Sequence, residues 1–390
     1  MALTKSSSGA MKYSKLSTAM DVDENLLYRW WLTVDKISII VIIILMFLGL
    51  LMCMASSTDL ALQNGKGSFF YVIKQAIFCI IGFFILIGLS MSSIKFIRRI
   101  SIISFFFLFL LLMAIPVFGT DFGKGAYRWL SLGFISFQPS ELIKPFYVIL
   151  ASWLFVSSIE KAGLPGISIS IIISLLVVIS LVLQPDFGQA SLIIATWSII
   201  YFVSGAPVIF LFIVAASVAV FAFYIFKSVN YVSERVLSFL SNEVDPLSQI
   251  GRAHSAIQEG GYFGVGLGEG NVKVHLPDAH TDFIIAVAAE EYGLVLCFLI
   301  IGLMAFLIVR SIVLLTKEEN FFIRLSGAGM AGIIGMQTLI NLAVTVRLIP
   351  SKGMTLPFIS YGGSSLISVC ILCGILLCLT KRRPRYGLSY

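Results

Sequence analysis

The sequence predicts an all-α membrane protein with about ten transmembrane helices and both termini in the cytoplasm. Of its 390 residues, 58% are hydrophobic and only 12% are charged. Continuous apolar runs of about 20 residues recur along the chain, and a run of that length crosses a bilayer as a helix. Positive charges flank these runs, as they do at the cytoplasmic ends of membrane spans. The net charge of +7 therefore indicates a membrane protein, and no nucleic-acid partner is expected.

The chain is organised as one membrane domain between two polar tails. Residues 1–36 are rich in Ser and Lys and predict a disordered cytoplasmic tail, and residues 382–390 predict a basic one. The first apolar run begins too far from the start, and is too long, for a secretory signal, so we expect it to remain as an anchor. Within the membrane domain, residues 37–381, the predicted spans are 37–54, 71–91, 101–118, 141–157, 167–184, 188–204, 207–226, 283–309, 325–346 and 364–380.

The charges near the span ends also predict the orientation. A short loop that holds Lys95, Arg98 and Arg99 is expected on the cytoplasmic side, together with the basic C-terminal end. Nearly all of the unusual polar residues then fall in outer loops, so we expect the chemistry on the outer face. These loops are residues 56–70, 120–140, 184–188, 347–363 and the largest of them, 227–282.

Polar residues gather where two of the outer loops enter a span. Ser140 and Asp186 are each placed to cap the helix that follows. Glu141 and Lys144 are spaced to pair on one helix face, and an ionisable pair at the membrane boundary is costly. The pair either closes the helix bundle as an internal ion pair or binds substrate. Arg128 lies in the preceding outer loop.

The densest polar stretch is residues 273–282, directly before a predicted buried helix. It contains Lys273, Asp278, His280 and Asp282. Asp282 is placed either to cap the helix or to act as a general base with the neighbouring groups as electrostatic partners. A partly dehydrated carboxylate at this boundary can have its pKa raised toward the working range. Two acids and histidines would also permit a divalent cation, although the spacing matches no firm metal pattern.

Residues 347–363 predict irregular backbone near membrane depth, because Pro350, Gly353 and Pro357 prevent a regular helix. Such backbone is tolerated only where it is buried in protein or lines a cavity. Arg347 and Lys352 would then face outward, either to hold an anionic group or to extend toward the interface as snorkelling cations.

Three further patterns belong to the outer loops and the spans. Residues 260–270 are glycine-rich without a preceding strand, so they predict a flexible turn or a close backbone approach to a lipid pyrophosphate, and no nucleotide fold. Apolar residues at near-helical spacing in 232–240, beside Arg235, indicate an interfacial amphipathic helix. All six cysteines lie in apolar runs, and we expect packing roles for them, including the pair Cys370 and Cys373.

These motifs, in this order and on this face, resemble the SEDS family (shape, elongation, division and sporulation proteins). The resemblance covers nearly the whole chain, and it is stronger to division members of the family than to elongation members. The residues that carry it are 128–129, 137–144, 184–189, 276–283, 290–291 and 350–365.

The resemblance implies a peptidoglycan glycosyltransferase that polymerises lipid II into glycan strands on the outer face of the inner membrane during septal wall synthesis. It implies Asp282 as the general base, with His280 and Asp278 in support. Candidates for binding the pyrophosphate are Lys352, Arg128, Arg235 and Lys273, or a divalent cation such as Mg²⁺ or Mn²⁺, and Glu141 with Lys144 remain substrate-binding candidates.

The resemblance also implies partners, namely a class B penicillin-binding transpeptidase with one membrane helix and other division proteins, all in the lipid bilayer at the division septum. Two other functions stay open. A lipid II flippase would also have polar groups at membrane depth, and a non-catalytic scaffold of the division complex would have the same spans.

Overall fold

The computed structural model describes residues 26–120, 128–131, 136–160, 165–228, 248–350 and 353–383, together with 233, 234, 236, 237 and 239. This part of the chain is a helical bundle with one small hairpin. The hairpin pairs β1 (Leu130–Ser131) with β2 (Ser136–Phe137) in antiparallel fashion, with Leu130 opposite Phe137. The predicted amphipathic helix at 232–240 lies largely outside the described residues, as does the tail before residue 26.

The helices follow the chain with short connections. They are α1 (Leu26–Thr33), α2 (Lys36–Gln63), α3 (Phe70–Met91), α4 (Ile94–Phe118), α5 (Pro139–Ile159), α6 (Gly166–Leu183), α7 (Phe187–Val203), α8 (Ile209–Ser228), α9 (Gln249–Gly260), α10 (Val272–His275), α11 (Ile284–Leu315), α12 (Phe321–Thr345) and α13 (Gly363–Leu379).

The predicted spans are confirmed as helices. In the described residues, eight helices are long and apolar enough to cross a membrane, and the shorter apolar helices Phe187–Val203 and Gly363–Leu379 complete the predicted set. The protein is therefore an all-α, multi-pass membrane protein. The main difference is at the outer end of α2, which continues to Gln63 instead of ending at residue 54. In this polar stretch the hydroxyls of Ser56, Ser57 and Thr58 donate to carbonyls four residues back, so their polar groups are satisfied within the helix.

The centre of the bundle is α13, which packs against α3, α5 and α12. Almost all of its side chains are buried, including Cys370, Cys373 and Cys378. These cysteines and the other three are reduced and buried, which confirms their packing role. In contrast, no residue of α8 is fully buried within the chain. Its first turns pack on α7, where the ring of Phe210 lies against Trp197 and Tyr201, and most of its remaining apolar surface is exposed.

Both ends of the membrane domain lie on the same face. The backbone N–H of Arg382 donates to the carbonyl oxygen of Thr33 at 2.9 Å. Nearby, Arg310 donates to both carboxylate oxygens of Asp35 at 2.5 and 2.6 Å. Burial raises the pKa of Asp35, but the hydrogen bonds from Arg310 and Ser38 outweigh this effect and hold that pKa below its ordinary value. An even number of crossings accounts for this meeting of the ends.

The long helix α11 is interrupted at Gly293, where φ is 80° and ψ is −179°. The glycine-rich segment 260–270 packs into this break. Leu294 N–H donates to Gly261 O at 3.0 Å, and Val265 N–H donates to Glu290 O at 2.8 Å. A Cβ on Gly293 would clash with the carbonyl of Tyr262. The glycine segment is therefore held by hydrogen bonds to α11 and is not a flexible turn. The backbone that it approaches closely is that of α11.

Candidate active site

Two outer segments that are far apart in sequence meet above the bundle. One is the turn at residues 276–282, and the other is the irregular loop at 353–362. Tyr361 N–H donates to His280 O at 2.8 Å, and the Ser360 hydroxyl donates to Thr281 O at 2.5 Å. The predicted irregular backbone after α12 is confirmed, and it forms one wall beside the most polar stretch of the chain.

Asp282 lies where these two segments come together. Its N–H donates to Asp278 O at 3.1 Å, and its side chain is half-buried. One carboxylate oxygen lies 3.6 Å from the position that a Cβ on Gly353 would occupy, so the carboxylate faces the irregular loop. Helix α11 begins at Ile284, and the residue in its cap position is Phe283, one residue after Asp282.

A single amide side chain ties the two segments to each other. The Asn341 side-chain NH₂ donates to Asp282 O at 2.9 Å and to Met354 O at 2.6 Å. One turn earlier on α12, Gln337 donates to Thr355 O at 3.0 Å. Neither amide is predicted as a site residue from the sequence. The signal that could have found them is a pair of amides four residues apart in an otherwise apolar span, which places them on one helix face.

The ion pair of Glu141 and Lys144 lies inside the bundle. The ammonium is 2.7 Å from the carboxylate, and both side chains are almost fully buried. Lys144 also donates to Gln337 at 3.1 Å, and Gln189 donates to Glu141. Of the two roles expected for this pair, the structure supports the internal ion pair. Through Gln337 the ion pair is linked to the loop at Thr355, and both of its side chains are shielded from the outer surface.

The entry to α5 differs from the prediction in one respect. The helix begins at Pro139 with Gln138 in the cap position, so the expectation that Ser140 caps it is wrong. A proline at the first helical position needs no hydrogen-bond acceptor for its nitrogen, which favours this earlier start. The Ser140 hydroxyl instead donates to Asp186 at 3.4 Å.

Asp186 caps α7 as predicted, since its carboxylate accepts the N–H of Gln189 at 3.4 Å. Burial raises the pKa of Asp186, and the positive charge of Arg128 opposes this effect. The Arg128 guanidinium donates to the carbonyl oxygens of Gln184, at 3.3 Å, and Pro185. Arg128 therefore fastens its outer loop to the turn between α6 and α7.

Lys273 has a different place from the one expected. Its side chain is buried, and its ammonium donates to the Glu291 carboxylate and to Ala55 O at 3.0 Å. The neighbouring Glu290 accepts the backbone N–H of Lys273 at 2.9 Å. Because its charge is neutralised inside the protein, the structure gives Lys273 a structural role in place of the predicted contact with pyrophosphate.

His280 and Asp278 support the turn that carries Asp282. The His280 ring stacks on Tyr71 at 6.3 Å between centroids and lies 5.7 Å from the ring of Tyr361. Burial raises the pKa of Tyr361 to about 12, so its hydroxyl stays protonated. Asp278 has a φ of 56°, a left-handed conformation that Asp tolerates better than most residues.

Two of the predicted cations, Arg235 and Lys352, lie outside the described residues. Lys352 precedes Gly353 directly in the chain, and Gly353 lies beside the Asp282 carboxylate. Within the described residues, no three His, Cys, Asp or Glu side chains are grouped closely enough to hold a metal ion.

Comparisons with known proteins agree with this arrangement. The model of a family described as cell cycle protein, which covers FtsW, RodA and SpoVE, matches residues 35–384. A probable peptidoglycan glycosyltransferase FtsW of Caulobacter vibrioides is 38% identical over 372 residues, which is 94% of each chain. A probable peptidoglycan glycosyltransferase FtsW of Coxiella burnetii is 35% identical over 366 residues, which is 90% of this chain and 95% of the relative. The predicted resemblance to division members is confirmed by these relatives.

Solved structures show the same fold. A chain of a peptidoglycan synthase complex superposes with a TM-score of 0.73 at 27% identity, covering 89% of this chain and 97% of its own. The rod shape determining protein RodA of Thermus thermophilus superposes with a TM-score of 0.65 at 24% identity, covering 90% of this chain and 97% of its own. The chain therefore belongs to the FtsW, RodA and SpoVE family of cell cycle proteins.

Proposed function

We propose that this protein is a peptidoglycan glycosyltransferase that polymerises lipid II into glycan strands on the outer face of the membrane. The observation that carries the proposal is the placement of Asp282. This half-buried carboxylate faces the loop at Gly353 and is held between two outer segments. Relatives named as peptidoglycan glycosyltransferases, which align over most of the chain, supply the reaction class.

In the proposed reaction, Asp282 accepts the proton of a sugar hydroxyl on the acceptor. The hydroxyl oxygen forms a bond to the anomeric carbon of the donor, while the bond from that carbon to the lipid pyrophosphate breaks. The pyrophosphate leaves with the electron pair. A neutral hydroxyl is a poor nucleophile until a base takes its proton, so a carboxylate fixed near the outer surface is the group that this chemistry needs.

The leaving pyrophosphate gathers negative charge, which cations stabilise. Lys352 is the first candidate because it adjoins Gly353, the residue beside the Asp282 carboxylate. Arg235 in the large outer loop is a second candidate. The Arg128 guanidinium already donates to two backbone carbonyls, so it would bind the pyrophosphate with its remaining N–H groups. A Mg²⁺ or Mn²⁺ ion held mainly by phosphate oxygens remains part of the proposal through the family resemblance, and no step depends on it.

The proposal includes partners and a location. The similar chain at 27% identity is part of a peptidoglycan synthase complex that coordinates polymerization and crosslinking. We infer a crosslinking partner here as well, a class B penicillin-binding transpeptidase, alongside other division proteins. The location that fits this role is the inner membrane at the division septum.

A flippase is the second candidate, because a chain of buried polar groups runs through α5, α7 and α12 at membrane depth. Gln189, Glu141, Lys144 and Gln337 are linked in series by hydrogen bonds. Ionisable groups in this setting also occur in transport pathways. A non-catalytic scaffold would need neither this chain of contacts nor Asp282.

One experiment separates these functions. The purified protein and its transpeptidase partner are given labelled lipid II, and glycan chains are measured for the wild type, Asp282→Asn and Glu269→Gln. General-base catalysis contributes on the order of 10²–10⁴ in rate, so we expect Asp282→Asn to lose at least about 100-fold. Glu269→Gln removes an exposed carboxylate of the same outer region and should keep the wild-type rate.

The other outcomes are equally informative. Polymer at the wild-type rate from Asp282→Asn would remove Asp282 as the base. Labelled lipid II that crosses vesicles containing the wild type, with no polymer under any condition, would favour the flippase. Neither polymer nor translocation, with intact binding of the transpeptidase, would favour the scaffold.

A further inference from the structure

The glycine segment, residues 260–270, carries three large apolar side chains that are exposed. Phe263 is 84% exposed, Tyr262 is 74% exposed and Leu267 is 63% exposed. We call these three residues the apolar tip. Single exposed apolar residues are common on protein surfaces. Three of them on one short segment are a candidate for a shared contact, because exposed apolar patches mark surfaces that bind a protein or a membrane.

The backbone of the glycine segment enforces this exposure. Val265 N–H donates to Glu290 O at 2.8 Å, and Val295 N–H donates to Tyr262 O at 3.3 Å. A Cβ on Gly264 would clash with the backbone of α11. The two backbones are thus in direct contact and leave no space between them for the side chains of the apolar tip. Within the described residues, the tip therefore stays exposed.

Two buried links show where the glycine segment lies relative to the membrane. Asp35 and Arg310 pair at the face that holds both ends of the membrane domain. At the other end, the Lys273 ammonium joins Ala55 O to the Glu291 carboxylate. The two links are separated by about 20 residues of α2 and about 19 residues of α11, which is about 30 Å along either helix.

That separation equals the hydrocarbon core of a bilayer, which is about 30 Å thick. The link at Lys273 therefore lies at the outer boundary of the membrane. The break in α11 at Gly293 comes two residues after Glu291, and the glycine segment is bonded to this break. The apolar tip is thus placed at the boundary between the headgroups and the acyl chains.

The apolar tip also continues the lipid-facing surface of α11. Val295, whose N–H donates to Tyr262 O, is exposed, and so are Phe298 and Leu299 one turn further along. These residues lie on one face of a helix that is long and apolar enough to cross the membrane, so lipid tails surround their exposed surface. The tip lies at the outer end of this surface, where aromatic side chains of membrane proteins are enriched.

The charges beside the apolar tip indicate the kind of lipid contact. Residues 257–271 contain Glu259 and Glu269 and no Lys or Arg. Both glutamates are exposed. Anionic headgroups attract Lys and Arg, whereas carboxylates repel them. The contact is therefore with the apolar part of the leaflet and does not require anionic lipid.

We infer that the apolar tip inserts into the outer leaflet of the membrane and anchors the glycine segment there. The Glu291 carboxylate accepts the N–H of Gly268 at 3.2 Å and also pairs with Lys273, the first residue of the polar stretch 273–282. The anchor therefore fixes the depth at which the polar stretch lies. The lipid contact itself does not rest on the proposed function.

The first test measures the depth of the apolar tip with a spin label in vesicles of phosphatidylcholine. The label is attached to Phe263→Cys in the full chain, and the wild type is the blank because its six cysteines are buried. Phe298→Cys on the lipid-facing surface of α11 and Glu269→Cys at the polar end of the glycine segment are the reference positions. Collisions with oxygen report lipid, and collisions with a water-soluble nickel chelate report water.

We expect the ratio of oxygen to nickel collisions at Phe263→Cys to lie far above that at Glu269→Cys and to approach that at Phe298→Cys. Adding phosphatidylglycerol should leave this order unchanged. Equal ratios at Phe263→Cys and Glu269→Cys would overturn the inference. Shielding of Phe263→Cys from both reagents would also overturn it, because protein would then cover the tip. A lipid contact that appears only in vesicles with phosphatidylglycerol would contradict insertion by apolar side chains.

The second test examines the complex with the transpeptidase partner. An amino acid with a benzophenone side chain replaces Phe263 or Glu269, and the groups that it captures under light in native membranes are identified by mass. We expect a phospholipid adduct from the Phe263 position and far less from the Glu269 position. Capture of the transpeptidase or of another part of the chain from the Phe263 position, without a lipid adduct, would overturn the lipid contact.

Neither test requires turnover, so the two proposals fail separately. A protein that makes glycan while its apolar tip is in water refutes the anchor and leaves the proposed function standing. A protein that makes no polymer refutes the proposed function, and the collision ratios and the lipid adduct then decide the anchor by themselves.

Discussion

The Asn341 side chain is the contact on which the geometry around Asp282 most directly depends. Its NH₂ group donates to Asp282 O and to Met354 O at the same time, at 2.9 and 2.6 Å. Both partners are carbonyl oxygens, which only accept, so the amide nitrogen has to face them. Asn341→Leu keeps the volume of the side chain approximately and removes both hydrogen bonds.

The expected size of the effect follows from those two bonds. Each contributes about 1 kcal/mol net, so the variant loses about 2 kcal/mol of the interactions that hold the two segments together. If all of this is expressed in positioning of the base, the rate of polymerisation falls about 30-fold, since 1.36 kcal/mol corresponds to a factor of ten. The loss should appear in kcat, because Asn341 is buried and contacts backbone that frames the site.

The assay compares initial rates of glycan synthesis from labelled lipid II for the wild type, Asn341→Leu and Thr338→Val. Thr338 lies on the same helix and is also buried, but its hydroxyl donates only to Ile334 O within the helix, at 2.8 Å. Thr338→Val should therefore stay close to the wild-type rate. A folded Asn341→Leu protein with the wild-type kcat, or an equal loss in both variants, would refute the reasoning.

Three further changes test the architecture that supports the site. Lys144→Met leaves the buried Glu141 carboxylate without its cation, so we expect a loss of about 3–5 kcal/mol, measured as a lower melting temperature in detergent; an unchanged melting temperature contradicts it. Gly293→Ala places a side chain in left-handed backbone against the glycine segment and should abolish folded protein, whereas Gly302→Ala on the same helix meets open space and should express normally. The pKa of Asp35 is lowered in the folded protein, so the stabilising effect of its carboxylate is present above the unfolded pKa of about 3.9 and is lost as the pH falls through the folded value. Asp35→Asn should therefore have a lower melting temperature than the wild type at neutral pH, and its melting temperature should fall less steeply with acid. Parallel curves of melting temperature against pH for the two proteins would count against this prediction.

The membrane architecture follows from the sequence because lipid leaves few choices. A run of about 20 apolar residues in a bilayer has to be helical, so the spans could be placed to within a few residues. The boundaries were less certain where polar residues continue a helix. The outer end of α2 extends to Gln63, and its hydroxyls are satisfied by hydrogen bonds to the helix backbone. Hydropathy does not register such contacts.

The break in α11 shows a second limit. Residues 283–309 are continuously apolar apart from Glu290 and Glu291, and they predict one straight span. The interruption at Gly293 depends on the glycine segment of the preceding loop, which donates and accepts hydrogen bonds at this point. A glycine in an apolar run can be present for many reasons. At Gly293 the reason is the close packing of the glycine segment, which is visible only in the folded structure.

Some residues of the candidate site could likewise be predicted from the sequence, and others could not. The importance of Asp282 could be inferred from its local sequence, because a cluster of ionisable groups at a membrane boundary is unusual. The role of Lys273 could not, since its partners Glu291 and Ala55 O come from two other helices. The amides of Gln337 and Asn341 were missed for the same reason. Neutral polar residues in a span attract little notice until their acceptors are known.

The buried ion pairs near the site are arranged so that each one supports an outer segment. Lys144 is linked through Gln337 to the loop at Thr355, and Lys273 with Glu291 anchors the start of the polar stretch. Removing one partner of such a pair leaves a buried charge at a cost of several kcal/mol, so the pairs strongly favour one arrangement of the loops. A transport pathway requires charges that exchange partners during the cycle, whereas in this structure the ammonium groups of Lys144 and Lys273 are each paired with a buried carboxylate and hydrogen-bonded to an amide or a backbone carbonyl. The buried charge of this bundle is therefore better explained as the support that preorganises an outer catalytic centre than as a route for moving a lipid headgroup.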